Sequence, residues 1–135
     1  QNVGAVVRSA EVLGFAGVLL PNKGVPRILP SVVKASAGAA EHTRIVQDRG
    51  ANQYVKQLQN NGFRIAALDS KGTVALHAYR PVSEKILLVI GGENKGVRQF
   101  ILNCADDVLA ISQKGRVDSL NASVAAGIAI HHLST

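Results

Sequence analysis

Several residue types are scarce in this chain. It has no tryptophan, no methionine, one cysteine, and only two tyrosines and three phenylalanines as aromatics. A single cysteine, Cys104, excludes an internal disulfide and a cysteine-based zinc site. It reads instead as a small core residue, at ease in a reducing interior. So few aromatics argue against a base-stacking platform for single-stranded nucleic acid. No run of about 18 apolar residues occurs, so nothing reads as a membrane span, and no secretory signal is visible. A chain that opens on Gln1 and contains no methionine reads as part of a longer polypeptide.

With 135 residues, 47% of them hydrophobic, the chain can form one compact domain with its own core. Fifteen Lys and Arg against nine Asp and Glu leave a net charge of +6. That balance favours a polyanionic partner, with a merely solubilising surface as the alternative. The cations are dispersed, among them Lys23, Arg27, Lys34, Arg44, Arg49, Lys114 and Arg116, rather than gathered in a tail.

Periodicity divides the chain into alternating helices and strands. "NVGAVVRSAEVLG" sets Val3, Val6, Val7, Ala10 and Leu13 on one helical stripe, with Asn2 as N-cap and Gly14 as stop. "AGVLLP" reads as a buried strand, residues 30–37 as helical, "RIVQ" as a brief strand, and "NQYVKQLQNNG" as a helix ending at Asn61-Gly62. "FRIAALD", "KILLVIGG" and "DVLAIS" read as strands, with a short helix over 97–102 and a last helix beginning near Asp118 or Ser119. Strands apolar on both faces and alternating with helices predict an α/β fold, a mostly parallel sheet flanked by helices. Ligands of such sheets sit beyond the carboxyl ends of the strands. The loops after Leu68, Ile90 and Ile111 fall there.

Three constellations stand out. "GGENKG" follows the most apolar strand, and its glycines let backbone approach a ligand. It lacks the Gly-Lys-Ser/Thr of a P-loop and the G-x-G-x-x-G of a dinucleotide site, and as a bare turn it would not need Glu93. "VDSLNASVAAG" crowds Ser119, Asn121 and Ser123 at a helix mouth. Capping explains one of Asp118 or Ser119 and leaves Asn121 and Ser123 over. Helix N-terminal amides also suit ligand acceptors. Arg8 lies beside the first helix's apolar stripe, where a solvated arginine is the ordinary reading. His131 and His132 are adjacent, His42 and His77 lack partners at ligand spacing, and no metal site is expected.

In order, "NVGAVVRSAEVLG", "LLVIGGENKGV" and "ISQKGRVDSLNASVAAGIAI" resemble the three signature motifs of the SpoU/TrmH family of the SPOUT superfamily. These are S-adenosylmethionine-dependent RNA ribose 2′-O-methyltransferases. "KASAGAAEH" further resembles the branch that methylates a guanosine of large-subunit (23S-type) ribosomal RNA. The resemblance implies catalytic roles for Asn2, Arg8, Glu93, Ser119 and Asn121. It implies cofactor contacts at Leu68, Gly91, Gly92, Gly96, Ile111, Leu120 and Asn121, and it makes Lys23, Arg27, Lys34, Arg44, Lys114 and Arg116 the candidate RNA contacts. It also implies a C-terminal trefoil knot, a homodimer, and a place in the bacterial cytoplasm or in an organelle with its own ribosomes. Ser112-Gln113 stands where the family often has Pro-Met, and Asn94 where a glycine commonly follows the glutamate. The family's first strand and the small RNA-binding domain of many ribosomal members are absent from this sequence.

The family's arginine is the proposed general base. A guanidinium resists deprotonation, so Arg8 is read here as positioning the substrate. Two rivals stay open beside a ribosomal or a transfer RNA methyltransferase. One is a catalytically weak RNA-binding relative, motivated by Ser112, Gln113 and Asn94. The other is a nucleotide-binding α/β enzyme of another kind.

Overall fold

The computed structural model describes residues 2–22, 30–34, 43–91, 96–115 and 120–134. Its elements are α1 (Asn2–Val12), β1 (Gly17–Pro21), β2 (Ser31–Lys34), β3 (Arg44–Arg49), α2 (Ala51–Asn60), β4 (Arg64–Leu68) and β5 (Val74–Ala75). A 3-10 turn (Leu76–Ala78), β6 (Ile86–Ile90), α3 (Gln99–Cys104), β7 (Asp107–Ala110) and α4 (Ala122–Ser134) follow. The strands form one sheet in the order β3-β1-β2-β6-β4-β7-β5. β2 is antiparallel to both its neighbours, and every other pairing is parallel. Every strand but β2 therefore carries its carboxyl end to the same edge.

Side chains alternate across this sheet, as the period-2 pleat requires. Val32, Ala66, Leu68, Ile86, Leu88 and Ile90 share one buried cluster with Val6 and Ala10 of α1 and Ala126, Ala129, Ile130 and Leu133 of α4. Val33, Ile65, Ala67, Leu87 and Val89 share the other with Val55 of α2 and Ile101 of α3. The result is a three-layer α/β/α fold with β6, buried along its whole length, at its centre. Truncating a side chain such as Leu88 would cost about 2–5 kcal/mol.

Local chemistry sets the helix ends. After α1, the Phe15 amide donates to the Ala10 carbonyl at 2.8 Å and Gly14 to Glu11 at 3.3 Å. After α2, Phe63 donates to Leu58 at 2.9 Å and Gly62 to Gln59 at 3.1 Å. Both are the paired bonds of a Schellman stop, and both glycines hold the positive φ it demands, 79° and 87°. α4 starts later than expected. Its cap is Asn121, whose Oδ1 accepts from the amides of Ser123 at 2.9 Å and Val124 at 3.4 Å.

The helix expected over 30–37 is corrected by the structure: residues 31–34 form β2. Ser-Val-Val-Lys carries two β-branched residues that fill opposite faces of the sheet, Val32 fully buried and Val33 nearly so. Pairing with β1 and β6 on either side outweighs the helical pattern, since burial and pairing override intrinsic propensity. β5 is a further addition, two residues long and too short to show a period.

Candidate functional site

Register levels three strand ends at the carboxyl edge. Leu68 of β4 lies opposite Ile90 of β6 and Leu109 of β7. The chain leaves these ends through the turn 69–72, the loop after Ile90 and the loop after Ala110, which are the loops expected to hold a ligand. The first of them is bound to the end of β7 and to the Val97 amide just after the second. The Asp69 amide donates to the Leu109 carbonyl at 2.9 Å. Asp69 Oδ1 accepts from the Lys71 amide at 2.9 Å, and Oδ2 from the Val97 amide at 3.1 Å. A methyl built on Gly91 would lie 2.2 Å from the Gly96 carbonyl carbon, so the ends of the glycine-rich loop are in backbone contact. Only glycine permits that approach. Gly72 also presses on β7, its built methyl falling 2.7 Å from the Val108 carbonyl oxygen.

The three motif-bearing segments meet below these loops. Leu68 and Ile90 belong to the apolar cluster between the sheet and α1 and α4. Val3 and Val7 from the start of α1, Ile111 from the loop after β7, and Ala122 and Ala125 from the first turn of α4 pack against that cluster. α1 crosses α4 closely, with a methyl built on Gly127 falling 3.8 Å from Ser9 Oγ. Arg8, next to that crossing, is exposed.

Of the residues singled out from the sequence, Leu68, Gly91, Gly96 and Ile111 gather at the carboxyl edge. Leu120 is 40% exposed beside the Asn121 cap. Asn121 and Ser123 are both accounted for by the helix mouth: besides the cap bonds, the Ser123 hydroxyl donates to Asn121 Oδ1. Glu93, Gly92, Ser119, Lys23, Arg27, Arg116 and His42 lie outside the described residues, as does the side chain of Asn2. The knot expectation rests on connections that include residues 92–95 and 116–119 and lies outside them too. Arg44 and Lys114 are exposed, as an RNA contact requires. Lys34 is not free for that role, because its half-buried ammonium donates to the Leu133 carbonyl at the end of α4, where a cation complements the helix dipole.

Asp69 is the residue that reading the sequence missed. Its signal was local: Asp followed three residues later by Gly marks a turn, and the Gly72 amide does donate to the Asp69 carbonyl at 2.9 Å. Lys71, whose amide Asp69 accepts from, and Arg98, next to Val97, are exposed.

A second polar cluster occupies the opposite, amino edge. Asp107 Oδ2 accepts from Arg64 Nε at 2.9 Å and from the Tyr79 hydroxyl at 2.8 Å. Burial and the Asp107 bond push the Tyr79 hydroxyl up to about 12. The Asp107 bond likewise raises the Arg64 guanidinium above its usual value. Both shifts favour the protonated forms, so Tyr79 and Arg64 act as donors to Asp107, and the cluster fastens β4, β7 and the segment after the 3-10 turn.

The chain is 40% identical over 99% of its length to an "Uncharacterized tRNA/rRNA methyltransferase" of Archaeoglobus fulgidus, of which it spans 59%. It is 31% identical to one of Mycobacterium ulcerans, of which it spans 43%. Among solved structures, 98% of the chain superposes on 67% of a TrmH/SpoU tRNA modifying enzyme of A. aeolicus, with a TM-score of 0.75 at 25% identity. The same share superposes on half of an AdoMet-bound rRNA methyltransferase of Sinorhizobium meliloti, with a TM-score of 0.77 at 22% identity. At that identity the likeness is one of fold. The SpoU rRNA Methylase family model matches residues 1–131, and the chain belongs to that family.

Proposed function

We propose that this chain is the methyl-transferring part of an S-adenosylmethionine-dependent RNA ribose 2′-O-methyltransferase, acting on a guanosine of large-subunit ribosomal RNA. The observation that carries the reading is the convergence of the three motif-bearing segments on one apolar cluster, directly under the loops at the carboxyl edge. Backbone at Gly91 and Gly96, free of side chains, and the apolar Leu68 and Ile111 suit a flat adenosine held by main-chain groups. Bound there, S-adenosylmethionine would supply an electrophilic methyl group.

The protein's share is position. Transfer needs the ribose oxygen within roughly 3–3.5 Å of the methyl carbon and in line with its leaving bond. Arg8 holds the substrate, through a phosphate beside the target ribose. Its planar fork suits that task better than a lysine's point charge. Asn2, Glu93 and Ser119 organise Arg8 and the glycine-rich loop, Asn121 orders the entrance to α4, and Arg44 and Lys114 add attraction for the RNA backbone. Val124 and Ile128 are 52% and 43% exposed at four-residue spacing along α4, and Leu120, just before its cap, is 40% exposed. That apolar stripe supports a homodimer.

The test pairs calorimetry with mapping of 2′-O-methyl marks. The full-length protein should bind S-adenosylmethionine and mark one guanosine of undermethylated ribosomal RNA. Arg8→Lys should bind the cofactor equally while transfer falls at least about tenfold. Near-normal transfer by Arg8→Lys would remove the positioning role. No heat with S-adenosylmethionine would favour a catalytically weak RNA-binding protein. Marks on transfer RNA would favour the second reading, which the 25% identity to the A. aeolicus tRNA modifying enzyme supports.

A further inference from the structure

We propose that Asp69 is a positioning residue that holds the closing end of the glycine-rich loop, Gly96–Val97, in place for the cofactor, an inference that rests on the methyltransferase reading above. Asp69 fastens three separate stretches of backbone. Its amide is bound to Leu109 of β7, one carboxylate oxygen holds the Lys71 amide of its own turn, and the other reaches 28 residues along the chain to the Val97 amide. Val97 directly follows Gly96, the residue at which the loop closes on Gly91. The carboxylate therefore fixes the loop's closing point relative to the end of β4. That spacing separates Leu68 from Gly91 and Gly96, the groups assigned to the adenosine part of the cofactor.

The fit around the carboxylate leaves no slack. A methyl built on Gly96 would lie 2.7 Å from Asp69 Oδ2, and Gly96 holds a φ of +65°. Loop and clip are thus matched from both sides. No cofactor atom need touch Asp69. It acts through the loop, and its loss should weaken cofactor binding much more than it weakens the fold. A carboxylate is required because both partners are donors. Asparagine keeps the shape but turns one acceptor into an NH2 that faces a backbone N–H, leaving a bond unmade.

The experiment compares wild type with Asp69→Asn by calorimetry with S-adenosylmethionine, and by amide hydrogen exchange without it. The expected result is a Kd raised at least about tenfold, the cost of one misplaced hydrogen-bonding group. Exchange at Val97 should quicken by a similar factor while Leu88 in β6 stays protected, and the melting temperature should fall by no more than about 5 °C. RNA binding in the absence of cofactor should not change. Should Asp69→Asn not fold, Asp69→Ser keeps a short acceptor for the turn but loses the reach to Val97, and should weaken binding likewise. A folded Asp69→Asn with wild-type Kd would overturn the proposal, as would free exchange at Val97 in the wild type. Absence of binding by the wild type would instead sink the methyltransferase reading, and exchange at Val97 would still decide whether the clip exists.

Discussion

Single residues here do work that their sequence neighbours do not announce. Asn121 was expected to be surplus to capping and proves to be the cap. Its local spacing to Ser123 was legible, but which short polar residue would take the cap was not, because Asp118, Ser119 and Asn121 are all competent. The two readings of Asn121, cap or ligand contact, separate by substitution. Asn121→Ala should destabilise the protein by about 1 kcal/mol, seen as a lower urea midpoint. Asn121→Asp retains a good cap and should unfold like the wild type. If Asn121→Asp nevertheless loses S-adenosylmethionine affinity, Asn121 contacts the ligand as well; if it keeps affinity, the residue does not serve the cofactor. Asp69 was illegible for a different reason. Its turn is written in four residues, while its second partner, the Val97 amide, is 28 residues away, and no local pattern encodes a bond of that reach.

Among the elements, those with long periodic stretches were legible and those decided by their neighbours were not. α1, α2 and β6 declare themselves through apolar spacing and glycine stops. β2 does not: its valines suit strand or helix, and the slot between β1 and β6 decides. The amino-edge cluster is another neighbour effect, with Arg64 and Asp107 brought together by the pairing of β4 with β7. It carries a pH signature. The Tyr79 hydroxyl is raised to about 12 in the fold against 10.0 ordinarily, so above pH 10 the unfolded chain gives up this proton first. The stability Tyr79 contributes is complete below pH 10 and is lost as the pH climbs toward about 12. Urea midpoints measured from pH 9 to 12 should fall more steeply for wild type than for Tyr79→Phe. Parallel curves would show that the hydroxyl is not held as described.

For the molecule as a whole, the fold sorts its surface by task. The carboxyl edge collects glycine backbone and exposed Lys71, Arg98 and Lys114, the amino edge is fastened by Asp107, and α4 presents Val124 and Ile128 outward. If that stripe is the proposed dimer face, sedimentation equilibrium should give twice the chain mass for wild type. Val124→Glu with Ile128→Glu should give a folded monomer, since a charge buried without a partner disfavours association. A wild type that stays monomeric at high concentration would remove the dimer. The central claim is narrower: the loops after β4, β6 and β7 make one pocket for S-adenosylmethionine. Its most direct test is a titration of isotope-labelled protein with that cofactor, followed by amide chemical shifts. The largest changes should fall at Asp69, Gly91, Gly96, Val97 and Ile111, with Arg64, Tyr79 and Asp107 unmoved. Changes centred on the amino edge, or none at saturating cofactor, would contradict it.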